Sequence, residues 1–430
     1  MRKEFIVGVI VSILMVFFVC SAVPAGTIEI WTDEASMDRG AGRSWNWIYS
    51  EYERKTGEKV KVVYVSYDEL EKKLMAGFAA GTAPDIMAID RSWLPSFLKN
   101  ELVEPFPSGL QKKWESIALP VFNQFKVEGK VYTLPYGIDL YGLNYNKNMF
   151  REAGLDPNEP PETWKEFRAD AKKLTKYNAD GKVTRMGFGI RYLGHPGGVV
   201  HKHLWAIWSA GASLVDPPDA LRGGKAGFNN EAGFAAVDLM IKMLYEDRST
   251  AFGFPDPRQA FVEKLGAMFI CCPRCTTWRY FKEAPDMDYG IAPNPRAEQG
   301  EHVTNLNAHP TFCVTSTSDK KDLAFQFIEY LMRPEIQLYI PLTTNIDKLG
   351  FGYPPFSKSI WAHSWFASNP YYIKTLELTQ YARVYPLNVH LAEVFEIFGS
   401  YMVKAWHKEI SVEEALAKAE KEVNAVLAEE

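Results

Sequence analysis

Two apolar, strand-forming runs separated by Pro135-Tyr136-Gly137 constrain this chain more than any other feature. Val131, Tyr132 and Leu134 favour extended backbone up to the break, and LYGLNY at 140–145 resumes it. Proline withdraws a ladder donor and glycine admits backbone that other residues avoid, so one regular strand does not run through. Such a break suits a chain that leaves one folded unit and enters another. Asn146 is a good cap for a helix over 147–153, and Gly154 stops it. A proline-rich loop then leads to a helix opened by Trp164. The stretch holds no catalytic triad, metal-ligand spacing or phosphate-binding loop.

With 430 residues the chain can form two units, each with its own core. A hydrophobic content of 47% excludes a disordered chain, and a net charge of −5 provides no basic footprint, so nucleic acid is not an expected partner. Residues 1–25 read as a signal peptide: Arg2 and Lys3, an apolar run over 5–19, then Ser21, Ala22 and Ala25. The run is short for a membrane span, which needs about 20 residues. The expected location is therefore outside the cytoplasmic membrane, periplasmic or at the cell surface. Cys20 raises lipidation, but Val19 and Phe17 suit a lipobox poorly.

After the signal, the pattern reads strand 27–31, helix 44–55, strand 60–65, helix 67–80, strand 85–89. The β-branched run 60–65 is expected to be buried on both faces. This alternation predicts an α/β fold with a parallel sheet. Ligands of such sheets bind beyond the carboxyl ends of the strands. Those ends carry Asp33 and Glu34 after the first strand and Asp90, Arg91 and Trp93 after the third. Near the C-terminus, Ser411 and Glu414 form a capping-box pair ahead of an apolar stripe of Val412, Leu416, Ala419 and Val423.

Five segments carry a family resemblance: APDIMAIDRSWLPSFLKNELVEPF at 83–106, GKVYTLPYGIDLYGLNYNK at 129–147, AGLDPNEPPETW at 153–164, GAMFI at 266–270 and DLAFQFIEYLMRPEIQ at 322–337. In this order the chain resembles the extracellular solute-binding proteins of ABC importers, in the carbohydrate-binding class typified by maltose binding. The resemblance implies a periplasmic-binding-protein-like fold, two α/β lobes closing on a ligand across several hinge crossings. It implies an N-terminal lobe of 26–138 and 308–347 and a C-terminal lobe of 139–307 and 348–430. Crossings are expected near 136–140, 303–308 and 345–350. It further implies a monomer with no cofactor and no catalytic residues, partnered by a carbohydrate and a membrane permease.

The resemblance also suggests site residues. Asp90-Arg91 matches a pair that binds sugar hydroxyls, a surface ion pair being the alternative. Trp93 either stacks on a sugar ring or anchors the next helix. Asp139 matches an acidic residue at the first hinge, Tyr141 shares its strand face, and Asn307 marks the second crossing. Trp205 and Trp208, in HKHLWAIWSAGA, either pack in the core or wall the cleft, and Trp278 is another candidate wall. Where many relatives have a stacking Trp, this chain has Arg274. Either Arg274 faces solvent and Trp278 takes its place, or Arg274 grips an anionic sugar or a phosphorylated polyol.

Among Cys271, Cys272, Cys275 and Cys313, a local disulfide is expected, since a bond from Cys313 would tie the lobes together. His201 and His203 lack a third ligand, so no metal is expected. The segment 178–181, NADG, reads as a turn. One reading from another class remains: an exported enzyme acting on saccharides, with Asp90 and Asp139 as its two carboxylates. Arg91 beside Asp90 would favour the charged form and argues against a general acid.

Overall fold

The computed structural model describes residues 26–33, 42–272, 276, 279–280, 283–346, 354–368 and 370–429. The signal segment with Cys20, Glu34, Arg274, Cys275, Trp278 and most of the third expected crossing lie outside these residues.

In the first sheet Thr27–Thr32 is flanked in parallel by Lys59–Tyr64 and Ile86–Ile89. Thr311–Val314 and Leu134–Pro135 extend it antiparallel. The helices Gly42–Thr56 and Tyr67–Ala80 connect the parallel strands. One expectation fails: Lys59–Tyr64 is not buried on both faces. It is the edge strand, with Lys59, Lys61 and Tyr64 exposed, and its lysines keep that open edge charged. The β-branched run reported strand propensity correctly, but position within a sheet is set by the neighbours.

The second sheet is built on Ile138–Asn146, whose nine residues are all buried. It pairs antiparallel with Thr304–Ala308, Gly266–Cys271 and Tyr289–Ala292. Val183–Phe188 lies beside Gly266–Cys271, and Ala382–Val384 lies beside Thr304–Ala308. Asn146 caps the helix Lys147–Glu152 through the Met149 amide. Thr163 and Glu166 close a capping box ahead of Trp164–Leu174. The Ser411 hydroxyl accepts from the Glu414 amide at 3.1 Å, and the helix Val412–Leu427 packs its apolar stripe on Leu391–Trp406.

Among the described residues, two strand crossings between the sheets run side by side. Leu134–Pro135 leads to Ile138 through Tyr136-Gly137, and Ala308 leads to Thr311 through His309-Pro310. The amides of Tyr136 and Gly137 donate to the Pro310 carbonyl, and the His309 amide donates to the Gly137 carbonyl at 2.8 Å. A Cβ on Gly137 would stand 2.0 Å from the His309 oxygen, so only glycine fits. The second passage thus lies just beyond the 303–308 expected from sequence.

Residues 354–361 begin against the first side, where the Leu119 amide donates to the Phe356 carbonyl at 2.9 Å. The helix Pro370–Leu378 then packs on the second sheet. Large aromatics fill the interior, with Trp45, Trp114, Trp205 and Trp406 almost fully buried. Cys313 is a free, buried thiol in the first unit, so no bridge ties it to the 271–275 group. Its apolar surroundings push its pKa upward. No helix among the described residues is long and apolar enough to cross a membrane.

Candidate ligand-binding site

Both sheets direct polar side chains at the junction. Asp33 follows Thr27–Thr32, and Asp90 follows Ile86–Ile89. On the crossing ribbon, Asn307 lies opposite Asp139 and Asn305 opposite Tyr141. Since a strand repeats every two residues, these four share one face. His309 continues that face, its Nε2 lying 3.1 Å from Asp33 Oδ2.

Asp90, only 4% exposed, is held by several donors. Its Oδ1 accepts from the Ser92 amide at 2.8 Å, the Ser92 hydroxyl at 2.7 Å and Asn307 Nδ2 at 2.8 Å. The Tyr67 hydroxyl reaches Oδ2 at 3.3 Å. Asn307 therefore links the crossing strand to the end of the first sheet. The neighbouring Arg91 turns away. Its guanidinium covers the Phe125 ring at 4.3 Å and donates to the Gln124 carbonyl at 3.4 Å. Burial brings its pKa down to about 10. The Asp-Arg pair is thus split: the carboxylate reaches the junction, and the guanidinium packs beneath it.

From the second side, His201 stacks on Tyr385 at 4.8 Å and meets Phe395 edge-on at 4.9 Å. Asn305 Nδ2 fixes the His201 carbonyl at 2.7 Å. Burial drives the His201 pKa to about 3 despite nearby Asp90, so the imidazole is neutral at ordinary pH. Tyr385 is buried, and desolvation, then Asp90 and Asp139, push its phenol pKa upward. Lys202 Nζ lies 4.1 Å over the Tyr141 ring and 3.2 Å from Cys271 Sγ.

A groove of about 440 Å³ opens between these two sides. Tyr67, Asp68, Glu71, Ser92 and Trp93 line one wall, and His195, His201, Phe395 and Glu396 line the other. Trp93 tilts against Tyr67 with ring centres 5.0 Å apart. Burial, reinforced by Asp90 and Glu393, raises the Glu71 carboxyl to about 7, although the Ser96 hydroxyl offers it a weak hydrogen bond. The two sides also touch directly: Gln124 donates to the Ala382 carbonyl at 3.1 Å and accepts from the Val384 amide at 3.3 Å.

Trp205 and Trp208 do not line this groove. Trp205 is fully buried, edge-on to Phe167, its indole N–H donating to the Lys202 carbonyl. Trp208 lies under Arg383 at 4.9 Å, beside a separate hollow formed with 299–303 and 380–383. The helix Leu204–Ser209 buries all six of its residues, so spacing alone could not choose its cleft face. Tyr67, Glu71, Phe395 and Glu396 were not singled out from sequence. Tyr67 and Glu71 are one helical turn apart, a legible shared face, but nothing in the sequence said what that face opposes.

A model of the bacterial extracellular solute-binding protein family matches residues 47–374. A binding protein of Brucella abortus is 25% identical over 322 residues, covering 70% of this chain and 74% of the relative. The sn-glycerol-3-phosphate-binding periplasmic protein UgpB of Pectobacterium atrosepticum is 28% identical over 339 residues, 73% of each chain. Among solved structures, an ABC transporter solute-binding protein from Thermotoga lettingae bound to α-D-tagatose superposes with a TM-score of 0.77 at 22% identity, covering 94% of this chain and 100% of that one. The maltose-bound MalE3 of T. maritima superposes with a TM-score of 0.74 at 20% identity over 94% and 100%. At these identities the superpositions establish the two-lobed α/β fold.

Proposed function

This chain belongs to the bacterial extracellular solute-binding protein family, and from that premise we propose that it captures a saccharide between its lobes and delivers it to the permease of an ABC importer. The observation that carries the reading is the groove itself, whose acceptors and aromatic rings come from helices and turns on both of its sides. Carboxylates and amides that accept from hydroxyls, next to ring faces, suit a polyol with apolar sugar faces. We assign 26–138 and 308–347 to one lobe and 139–307 and 348–430 to the other, with 354–361 resting against the first. Asp33, Asp90, Trp93, Asp139, Tyr141 and Asn307 belong to the proposed site.

The mechanism is differential contact. A ligand in the groove touches both walls only when the lobes are closed, so it shifts the open–closed balance by its extra affinity for the closed form. The permease then reads the closed shape, and the protein works as an exported monomer without turnover. Titration of the purified protein with a panel of mono- and oligosaccharides tests this: tight binding with unchanged sugar supports it, and conversion of the sugar overturns it. A second reading, a phosphorylated polyol as ligand, is favoured by the relative named for sn-glycerol-3-phosphate binding. Glycerol-3-phosphate in the same panel decides between the two.

A further inference from the structure

The two sides of the groove meet at a contact that contains a titratable group. The helix Leu94–Lys99 begins next to Trp93, and the helix Leu391–Trp406 follows His390. Trp93 and Leu391 line the groove, while Lys99 and His390 do not. Lys99 Nζ, from one side, lies 3.5 Å from His390 Nε2 on the other. Arg222 adds a second bridge, donating to the Lys99 carbonyl at 3.3 Å. That carbonyl ends a helix, so its partner has to come from elsewhere.

His390 is 4% exposed and is held from behind. Its amide donates to Asn388 Oδ1 at 3.0 Å. Asn388 Nδ2 in turn donates to the Ala220 and Gly223 carbonyls, and the Val389 amide donates to the Leu221 carbonyl. His390 Nδ1 lies 3.4 Å from Glu393 Oε2 on the following helix. These partners select one tautomer: Nδ1–H donates to the carboxylate, and Nε2 accepts from the Lys99 ammonium. Among the described residues Lys99 pairs with no carboxylate, and His390 is its one side-chain partner.

A proton on Nε2 reverses this contact. The acceptor becomes a donor aimed at an ammonium, and two positive charges meet where little water can screen them. The anchored ring has no room to turn away, so parting Lys99 from His390 relieves the repulsion. Glu393 travels with His390 and remains a partner for the charged ring. The other charges nearby do not take over this role. Arg222 and Asp219, in the loop behind, are exposed, and Arg91, in the turn packed on the same helix, covers Phe125. Glu71 acts in the opposite sense: its carboxyl titrates near 7 beside Glu393, so its repulsion is present at alkaline pH and absent at acid pH.

We propose that Lys99 and His390 are positioning residues outside the groove that form a proton-gated latch, holding the lobes closed while His390 is neutral and parting them when it is charged. This rests on the hinge motion of the reading above and not on its ligand. The closed form excludes a proton that the open form accepts. Affinity for a ligand that needs closure therefore falls as pH falls through the range in which histidine gains charge. Capture is favoured in neutral surroundings and release in acidic ones.

The test is small-angle scattering of the full exported chain, free of sugar, at pH 8 and pH 5.5, beside His390→Gln and Lys99→Met. Glutamine keeps an acceptor near the Nε2 position and does not titrate. The native chain should be more extended at pH 5.5 than at pH 8. His390→Gln should lose or reverse that expansion, since Glu71 then acts alone. Lys99→Met should be extended already at pH 8 and show no acid expansion. Circular dichroism checks that both variants fold. For the sugar that binds in the panel above, the native Kd should rise about fivefold or more over the same interval, relative to His390→Gln. A native chain that responds to pH as His390→Gln does, in shape and in Kd, overturns the proposal. So does an acid expansion that survives both substitutions. If no sugar binds, the saccharide reading falls, and scattering alone decides the latch.

Discussion

At the scale of single residues, the junction is a collection of buried polar groups whose energetics depend on their partners. Glu71 shows this through pH. Its carboxyl titrates near 7 in the folded chain against an ordinary value of 4.5. Between those values the unfolded chain has released the proton and the folded chain still holds it, so stability falls as pH rises from about 4.5 to about 7 and then levels off. Glu71→Gln removes that loss. Its melting temperature should exceed the native value at pH 8, by the equivalent of about 1–3 kcal/mol, and should match it at pH 4. Asp90→Asn tests the donor arrangement. An amide keeps an acceptor for Ser92 and Asn307 but weakens those charge-assisted bonds, and it sets an N–H group against the Tyr67 hydroxyl in place of Oδ2. A loss of about 2–4 kcal/mol in urea unfolding is expected, together with loss of sugar binding.

At the scale of elements, the sequence was most legible where a local rule has a local cause. Caps at Asn146, Thr163 and Ser411 and the stop at Gly154 follow from side chains that satisfy helix-end groups, and those signals lie within a few residues of their effect. The Pro-Gly break was legible for the same reason. Its partner, His309-Pro310, carries no such local signal, because the pairing that defines it is set by a strand far away in the chain. The ribbon makes a sharp prediction. Gly137→Ala drives a methyl into the His309 carbonyl and should cost about 2–4 kcal/mol in denaturant unfolding. The control is Gly109→Ala in the helix Ser108–Ile117, where the added Cβ meets nothing within 4 Å. That change should be neutral or stabilising by up to about 1 kcal/mol.

At the scale of the whole molecule, closure is a balance between lobe–lobe and lobe–ligand contacts. Gln124 bridges to Ala382 and Val384 and is not among the groove-lining residues. Gln124→Ala should therefore raise the apparent Kd of the bound sugar about two- to tenfold by depleting the closed state. Small-angle scattering checks the cause: the free variant should be more extended than the free native chain, and the two should converge at saturating sugar. The sequence by itself determined the α/β class, the break between units, the helix ends and the carboxylates at the strand termini, because each depends on neighbours in the chain or on period. Only the tertiary structure decided which side chains face one another. It turned Arg91 under the site, sent Trp205 into the core and placed Lys59–Tyr64 at an edge. It also brought the Glu71 helix opposite the Glu396 helix, more than three hundred residues away. The physical reason is that burial and charge are properties of a neighbourhood, and in a two-lobed fold that neighbourhood is assembled from remote segments by the crossing strands.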